Sequence, residues 1–362
     1  MQQDKSLEKR VQERISISKD DIVDLDIVLE DDISISHVGI KERDVIIYGC
    51  KTKIGCIGGV ATRPEYRKKG LATRLMQIAA QKINDDGGDI MFVSGNRDLY
   101  RRQGCVPAAP HYQFKIGQAD MGRLDDSDIE LVPYKKDNLL DIANTHQREP
   151  VRFRRDLDEF QVLLERRTPA PFWTKTAVLA LYDDGRFMGY LLTQEPRDAE
   201  RGKGRIRGIA EYAGARKTIA DSMKPLFARY NMEELMFFVQ EHDSELLHIL
   251  RQRGIEGEKA NMQGHTFKIL NLPRLMDRFA PYIQERVGKD TANSLKCAQD
   301  GDEFRITYKQ ECLELDGEAL VALIFGTYDE AEKEIMSRLE GMTDVLQALF
   351  PLPFLWPGLN SY

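Results

Sequence analysis

The sequence of 362 residues lacks the marks of several large protein classes. No apolar run approaches the ~18–20 residues of a membrane-spanning helix, and the opening MQQDKSLEKRVQER is too charged for a signal peptide. The five cysteines are odd in number and have no CxxC spacing, which indicates reduced thiols and argues against a disulfide framework or a zinc site. The six histidines have neither ligand nor triad spacing, so we interpret them as structural. We expect a cytoplasmic protein without a metal or a membrane partner.

The net charge of the chain indicates which kinds of partner it could bind. A formal net charge of −7 argues against a general nucleic-acid binder and would suit a cationic substrate. A hydrophobic content of 42% and a charged content of 31% describe a globular chain with ample core. At this length, two or three domains are expected.

One stretch, from Ile54 to Ile83, predicts an anion site. It begins as an apolar, glycine-rich strand, breaks at Pro64, and passes through a basic run before Gly70. An amphipathic helical pattern follows. Unpaired N–H groups and the dipole at such a helix N-terminus favour a phosphate. The spacing fits neither the GxxxxGK[ST] loop nor the GxGxxG fingerprint.

A second segment, Asn96 to Cys105, follows one strand later. Its pattern predicts a short helix capped by Asn96 or Asp98 and ended by Gly104 in a left-handed conformation. Tyr100 lies in the middle of this segment, where its ring is expected to be half-buried.

These two segments resemble a known family. Arg67-Lys68-Lys69-Gly70-Leu71-Ala72 resembles motif A of the GNAT acetyltransferases, [QR]-x-x-G-x-[GA], and the second segment resembles their N-x-x-[LI]-Y-x-[RK]-x-G-[FY]. The predicted order of elements repeats in residues 129–270, but without the basic glycine turn. With its apolar, proline-rich C-terminus, the whole chain is similar to the Eis (enhanced intracellular survival) type of acetyltransferase.

The resemblance implies an α/β protein with mixed sheets, in which tandem GNAT folds precede a sterol-carrier-like domain. We expect an acetyl-CoA-binding GNAT domain at 1–128, apparently shortened at its front, and a degenerate GNAT-like domain at 129–270. The third domain, 271–362, would dock its tail toward the active site. The patterns also predict helices at Leu7–Ile15, Leu272–Val287 and Tyr328–Leu339 and a strand at Ala319–Phe325.

The resemblance also implies roles for individual residues. Val60 and Thr62 would pair their backbones with the pantetheine arm of acetyl-CoA, and the Val60 N–H would be the oxyanion donor. Tyr100 would be the general acid, because a phenol is protonated at neutral pH. The α-carboxylate of Tyr362 would be the general base, with Glu65 and Asp98 as weaker candidates. The predicted cofactor-binding residues are Val60, Thr62, Arg67, Lys68, Lys69, Gly70, Leu71, Ala72 and Asn96.

The expected activity is transfer of an acetyl group from acetyl-CoA to a primary amine by direct attack in a ternary complex. The acceptor would be a small molecule or lysine-like amine, for example a polyamine or an aminoglycoside. The alternatives are a non-catalytic CoA-binding or assembly protein and a lipid carrier that uses the third domain. Because Eis-type relatives form hexamers, we expect a symmetric homo-oligomer.

Overall fold

The structure is a computed structural model that describes residues 11–18, 21–29, 31–166, 173–196, 206–262, 264–326 and 341–360. These residues fall into two compact units, one from 11–108 with 262–352 and one from 109–261 with 353–360. Over the ranges just given, no helix is both long and apolar enough to cross a membrane.

The first unit is built on a mixed sheet that is antiparallel except for one parallel pair. Its strands and first helices are β1 (Val11–Ile17), β2 (Val23–Leu29), β3 (Ser34–Ile47), β4 (Cys50–Thr62), α1 (Leu71–Asp85), β5 (Ile90–Ser94), α2 (Asp98–Arg101) and β14 (His265–Ile269). The strands are ordered β1-β2-β3-β4-β5-β14, and β4 and β5 are the parallel pair.

The front of this unit is an antiparallel meander of four strands. The predicted helix at Leu7–Ile15 is wrong for its described part, because residues 11–15 lie in β1 and pair with β2 in continuous register. Alternation of apolar and polar residues in VQERISI fits a strand better than a helix. Tyr48 and Gly49, with φ of 49° and 81°, form the two-residue turn between β3 and β4.

Helix α1 lies close against this sheet. Its buried residues form one stripe that packs with apolar residues of β2, β3 and β4, as the amphipathic pattern predicts. A Cβ atom at Gly55 would lie 2.4 Å from Cδ1 of Ile83. The glycine in the strand therefore sets how closely the helix approaches.

The elements of the second unit are β6 (His111–Gly117), β7 (Glu130–Pro133), α3 (Leu139–Arg148), β8 (Val151–Phe153), α4 (Leu157–Arg166), β9 (Trp173–Asp183), β10 (Arg186–Pro196), β11 (Ile206–Gly214), α5 (Arg216–Asp221), α6 (Met223–Tyr230), β12 (Glu234–Gln240), α7 (Ser244–Gln252) and β13 (Glu258–Ala260). Seven of these strands form one sheet, in the order β13-β6-β12-β11-β10-β9-β7. Its parallel pair, β11 and β12, is again connected by helices, α5 and α6.

Each of two strands belongs to a different sheet from the one expected from its position in the sequence. β14 pairs with β5 in the first sheet, although it precedes the predicted boundary at residue 270. β6 pairs with β12 in the second sheet, although it lies before residue 128. The predicted division into domains 1–128, 129–270 and 271–362 stays a prediction.

The segment after β14 combines helices with a three-stranded antiparallel sheet. The predicted helix Leu272–Val287 is two helices, because Pro281 falls in the first turn of the second and breaks continuity at Phe279. Residues Gly317–Phe325 form a helix where a strand was predicted, because the Asp316 side chain accepts a hydrogen bond from the Ala319 N–H and caps it. The elements here are α8 (Leu272–Arg278), α9 (Ala280–Val287), α10 (Lys289–Ser294), β15 (Leu295–Asp300), β16 (Glu303–Tyr308), β17 (Glu311–Leu315), α11 (Gly317–Phe325) and α12 (Thr343–Leu349).

The predicted helix Tyr328–Leu339 lies outside the described residues. The likeness of this segment to a sterol-carrier domain stays a prediction.

A buried carboxylate ties α8 to the sheet of the first unit. Asp89 has no solvent exposure and accepts a 2.5 Å hydrogen bond from the Thr52 hydroxyl. Arg274 Nε lies 2.8 Å from its Oδ1, and Arg278 Nη1 lies 2.7 Å from its Oδ2. A fully buried anion persists because charged groups and a hydroxyl surround it.

We expect Asp89→Ala to destabilise the first unit by about 2–4 kcal/mol, since it removes the buried anion that pairs with two arginines and accepts a hydrogen bond from the Thr52 hydroxyl. Urea unfolding measures the loss. The matched control is Glu314→Gln, which removes the partner of Arg305 on an exposed surface and should cost below about 1 kcal/mol. Equal effects of the two changes would contradict this account of Asp89.

Candidate active site

The two parallel strands of the first unit part in the middle of the sheet. β4 and β5 pair from Ile54 with Ile90 to Ile57 with Val93, and β4 then continues to Thr62 without further pairing to β5. The result is a cleft in the sheet whose near edge is the backbone of residues 58–62.

A β-bulge lies on this edge. In the ladder between β3 and β4, His37 stands opposite Ala61 and Gly39 opposite Gly58, so Gly59 and Val60 together face Val38. Gly59 has a φ of 63°, which a glycine adopts without strain. Because a bulge interrupts the ladder, it turns the backbone of Val60, the predicted oxyanion donor, away from regular pairing.

The strand leads into the predicted basic turn. A 3-10 turn at Pro64–Tyr66 precedes Arg67, whose Nε donates a 3.1 Å hydrogen bond to the Thr62 carbonyl. Within the described structure, Nη1 and Nη2 of Arg67 have no hydrogen-bond partner. Thr62 and Arg67 were predicted to contact different parts of one ligand, and the structure brings them together.

The turn ends at the N-terminus of α1. Lys68 and Gly70 have φ values of 61° and 81°, and the helix begins at Leu71. No side chain caps this end, so the N–H groups of its first turn keep their capacity to bind an acceptor. A Cβ at Gly70 would meet nothing within 4 Å. Fifteen residues of helix place a partial positive charge at this open position, which suits a phosphate.

Tyr100 lies in the core beside the cleft. The side chain is 1% exposed and packs in the cluster formed by α1 and the sheet. Its hydroxyl accepts hydrogen bonds from Nε of Arg97, at 3.1 Å, and from Nη2 of the same residue. The ring lies so close to Gly95 that a Cβ there would be 2.6 Å from Cε2. The predicted general acid is thus more deeply buried than the sequence suggested.

Arg97 is a site residue that the sequence reasoning missed. Its Nη2 also donates a 3.2 Å hydrogen bond to the carbonyl oxygen of Val60, so one guanidinium links Tyr100 to the bulge. The resemblance offered no signal for it, because Arg97 occupies an unspecified position of the second motif. Its three-residue spacing from Tyr100 is the local hint that the two side chains could meet.

The second motif forms the predicted helix and turn, but no side chain caps the start of the helix. Helix α2 begins after Arg97, and neither Asn96 nor Asp98 caps it; the Asn96 side chain accepts a 3.0 Å hydrogen bond from Arg101. Gly104, with φ 75°, ends the helix as predicted. Cys105 is fully buried, and burial raises the pKa of its thiol to about 12. Its role is therefore packing.

Other predicted site residues stay predictions. Tyr362, the predicted base, lies outside the described residues, as does the carboxylate that would carry the role. Glu65 is exposed in the 3-10 turn. Within the residues that the structure describes, no three side chains of His, Cys, Asp or Glu are grouped so as to hold a metal ion.

The second unit contains a similar cleft that the chain itself occupies. β11 and β12 also pair over four residues, ending at Ile209 with Phe237. At the start of α5, the Glu149 carboxylate accepts hydrogen bonds from the Gly214 N–H at 3.0 Å and from Arg216 at 2.6 and 2.8 Å. A carboxylate therefore stands where the first unit offers an open anion site, in line with the predicted loss of the phosphate cradle.

The C-terminal tail lies at the same place in the second unit. Trp356 stacks on Phe238 with ring centroids 4.4 Å apart. The Leu359 N–H donates a 2.9 Å hydrogen bond to Glu211, and Asn360 accepts one of 2.8 Å from Arg155. Phe354 and Leu355 are buried, so this apolar tail packs on the protein, and its predicted docking toward the active site stays a prediction.

Two buried titratable side chains under the tail, Glu211 and His146, each keep one protonation state near neutral pH. Burial raises the pKa of Glu211, but two hydrogen bonds from Arg155, at 2.7 and 2.9 Å, outweigh it and lower the pKa to about 2. Burial, with the nearby Arg155, lowers the pKa of His146 to about 3. His146 is therefore a neutral structural residue, as its sequence context predicted.

Comparisons with known proteins agree with this architecture. Residues 2–108 match the family model of the acetyltransferase (GNAT) domain. No curated protein sequence matches the chain. The fold is similar to that of a GCN5-related N-acetyltransferase from Anabaena variabilis, with 14% identity over 92% of this chain and 88% of the other and a TM-score of 0.61.

Two further solved structures are alike at the level of the fold. One is a protein of unknown function from Enterococcus faecalis, titled a probable N-acyltransferase, with 14% identity, coverage of 92% and 89%, and a TM-score of 0.62. The other is Eis1 from Mycobacterium abscessus, with 13% identity, coverage of 91% and 88%, and a TM-score of 0.60. The match to the GNAT family model therefore covers residues 2–108, and the solved structures share the mixed α/β fold of the chain.

If the first turn of α1 binds a phosphate, Gly70→Ala should weaken acetyl-CoA binding up to about tenfold, since a Cβ at φ 81° costs about 1–2 kcal/mol and distorts the turn. Gly49→Ala is the matched control, because Gly49 has the same φ and equally open surroundings in the β3–β4 turn. Calorimetric titration with acetyl-CoA compares them. Equal affinities in the two variants would place the anion site elsewhere.

Acidification should destabilise the second unit through His146. The unfolded chain takes up a proton near the ordinary histidine pKa of 6.5, whereas the folded one resists protonation down to about pH 3. Stability is therefore complete above pH 6.5 and falls as the pH drops toward 3. In His146→Gln the decline of the melting temperature between pH 6.5 and 4.5 should shrink. His248→Gln, at an exposed position of α7, should keep the full decline; loss in both variants would contradict the assignment.

Proposed function

We propose that the chain transfers an acetyl group from acetyl-CoA to a primary amine by direct attack in a ternary complex. The observation that carries the proposal is the alignment of three features along one strand of the first unit. These are the parting of β4 from β5, the bulge at Gly59–Val60, and the uncapped helix N-terminus after Gly70. The GNAT family match to residues 2–108 supports the same assignment.

The extended arm of the cofactor would lie along the free edge of β4. Its pyrophosphate would be bound by N–H groups of Lys69–Ala72, with charge from Arg67 and Lys68. An extended ligand can pair with a strand edge as an additional strand would. Pairing at Thr62 and Val60 would require Arg67 and Arg97 to release the two carbonyl oxygens that they now contact. Arg67 would then be free to turn both terminal nitrogens toward phosphate.

The thioester would lie at the bulge. There the Val60 N–H would stabilise negative charge on the carbonyl oxygen as the amine attacks, a contribution typically worth ~3 kcal/mol. The amine nitrogen bonds to the carbonyl carbon, and the carbon–sulfur bond then breaks. Tyr100 would protonate the departing sulfur. Arg97, already hydrogen-bonded to the phenol oxygen, would stabilise the phenolate that this transfer leaves behind.

Tyr100→Phe should lower kcat by roughly 10²-fold, because a positioned acid typically contributes 10²–10⁴, while acetyl-CoA affinity stays nearly unchanged. Release of free thiol in the presence of spermidine, Nα-acetyl-lysine amide or kanamycin measures turnover. Tyr112→Phe is a control for the loss of a phenol outside the site. Unchanged turnover in Tyr100→Phe would remove this tyrosine from the mechanism.

The alternative is a protein that binds CoA without catalysis. It shares the prediction of acetyl-CoA binding, so binding alone does not separate the two functions. Acceptor-dependent thiol release does. Tight acetyl-CoA binding with no release for any of the three amines would contradict acetyl transfer and support the alternative.

A further inference from the structure

A histidine and two aspartates lie on the face of the sheet opposite α1. Along β2, Leu25 and Ile27 pack in the cluster with α1, so Asp24 and Asp26, which alternate with them, point to the other face. His37 of β3 is the direct cross-strand partner of Asp26 and therefore shares that face. The acid candidate Tyr100, in contrast, packs on the side of α1.

His37 is oriented by a buried carboxylate. Its Nδ1 lies 3.3 Å from Oδ1 of Asp26, whose side chain is 8% exposed. Burial raises the pKa of Asp26, but hydrogen bonds from Ser34, His37 and Arg14 outweigh it and bring the pKa below its ordinary value. In the tautomer with the proton on Nδ1, Nδ1 donates a hydrogen bond to Asp26 and the lone pair lies on Nε2.

Nε2 of His37 lies against the bulge. A Cβ atom built at Gly59 would be 3.3 Å from it, so the ring rests on the backbone of the residue that precedes Val60. The ring is 32% exposed, which leaves Nε2 accessible, and Oδ1 of Asp24 lies 3.7 Å away. That separation is too long for a hydrogen bond, but it places a negative charge where a cationic amine would approach.

We propose that His37, in place of the α-carboxylate of Tyr362 that the resemblance implies, is the general base that deprotonates the acceptor amine. Asp26 would be its positioning residue, and Asp24 the carboxylate that attracts the ammonium group. This inference rests on the proposed acetyl transfer. Base and acid would then act from opposite faces of β4, at the adjacent residues Gly59 and Val60. The proposal also specifies the chemical class of the acceptor, which is a cationic primary amine.

The proton and electron balance of the step is complete. Nε2 of His37 takes one proton from the ammonium group, and the freed lone pair forms the N–C bond. As the C–S bond breaks, the sulfur receives the proton of Tyr100, and the phenolate regains one from the amide nitrogen, which sheds its surplus proton. The proton on His37 passes to solvent, so the sum is one amide, one thiol and one released proton.

The charged groups around the histidine favour this cycle. Asp24 and Asp26 face it from β2, and Arg14 of β1 reaches Asp26 at 3.4 Å and Asp32 at 2.6 Å. On β4, the contact is with Gly59. The two carboxylates place negative charge beside the ring that receives the proton.

The test compares His37→Asn and Asp26→Asn with the parent protein. Asparagine at 37 keeps a donor for Asp26 but lacks a base at the Nε2 position. We expect turnover of spermidine at pH 7 to fall about 10²-fold or more in His37→Asn, with unchanged acetyl-CoA affinity. Asp26→Asn should lose less. Because an amine deprotonates by itself at higher pH, kcat/KM of His37→Asn should climb steadily from pH 7 to 9.5, whereas the parent reaches a plateau.

The outcomes separate this inference from the proposed function. Near-parental turnover in His37→Asn, or a deficit that stays constant over the pH range, would overturn the role of His37 and leave acetyl transfer intact. A parent protein that binds acetyl-CoA but acetylates none of the three probe amines would overturn both. His248→Gln controls for the loss of a histidine as such.

Discussion

The structure depends on the separation of two parallel strands after four paired residues. Where β4 leaves β5, backbone groups in the middle of a sheet lose the neighbour that would satisfy them. Residues 59–62 of β4 are exposed or half-buried, so their backbone groups stay accessible to another partner. The chain contains this arrangement twice, and the cleft is open in the first unit and occupied in the second.

In the second unit, a side chain and the C-terminal tail of the protein itself occupy the cleft. Glu149 binds the N–H of Gly214, and the tail from Pro353 to Asn360 covers the widened part of the sheet. In the first unit, the corresponding helix begins at a glycine with no side chain near it. The same arrangement of two parting strands and a helix therefore has a structural role in the second unit, where a carboxylate occupies the anion position. It is a candidate binding site in the first unit, where that position is open.

The bulge at Gly59–Val60 determines which backbone groups of β4 face the open cleft. By placing two residues opposite one, it removes Val60 from regular pairing with β3 just where β5 is also absent. Arg97 and Tyr100 reach this point from the side of α1, and His37 reaches the neighbouring Gly59 from the other face. A glycine with positive φ is what allows the ring of His37 to lie so close.

Local sequence patterns were sufficient to predict much of this protein. The basic glycine turn, the helix after it, the motif around Tyr100 and the missing cradle of the second copy are short-range features, because caps, turns and amphipathic stripes depend on residues within a few positions. Predictions were wrong where the secondary structure depends on a strand distant in sequence or on a single cap residue. Residues 11–15 form a strand because β2 pairs with them. The apolar run after Asp316 forms a helix because the Asp316 side chain caps it. The exchange of β6 and β14 follows from pairing across more than a hundred residues. His37 gained meaning only from its cross-strand partner Asp26 and the bulge of β4, since strand register brings together side chains that no spacing along the chain reveals.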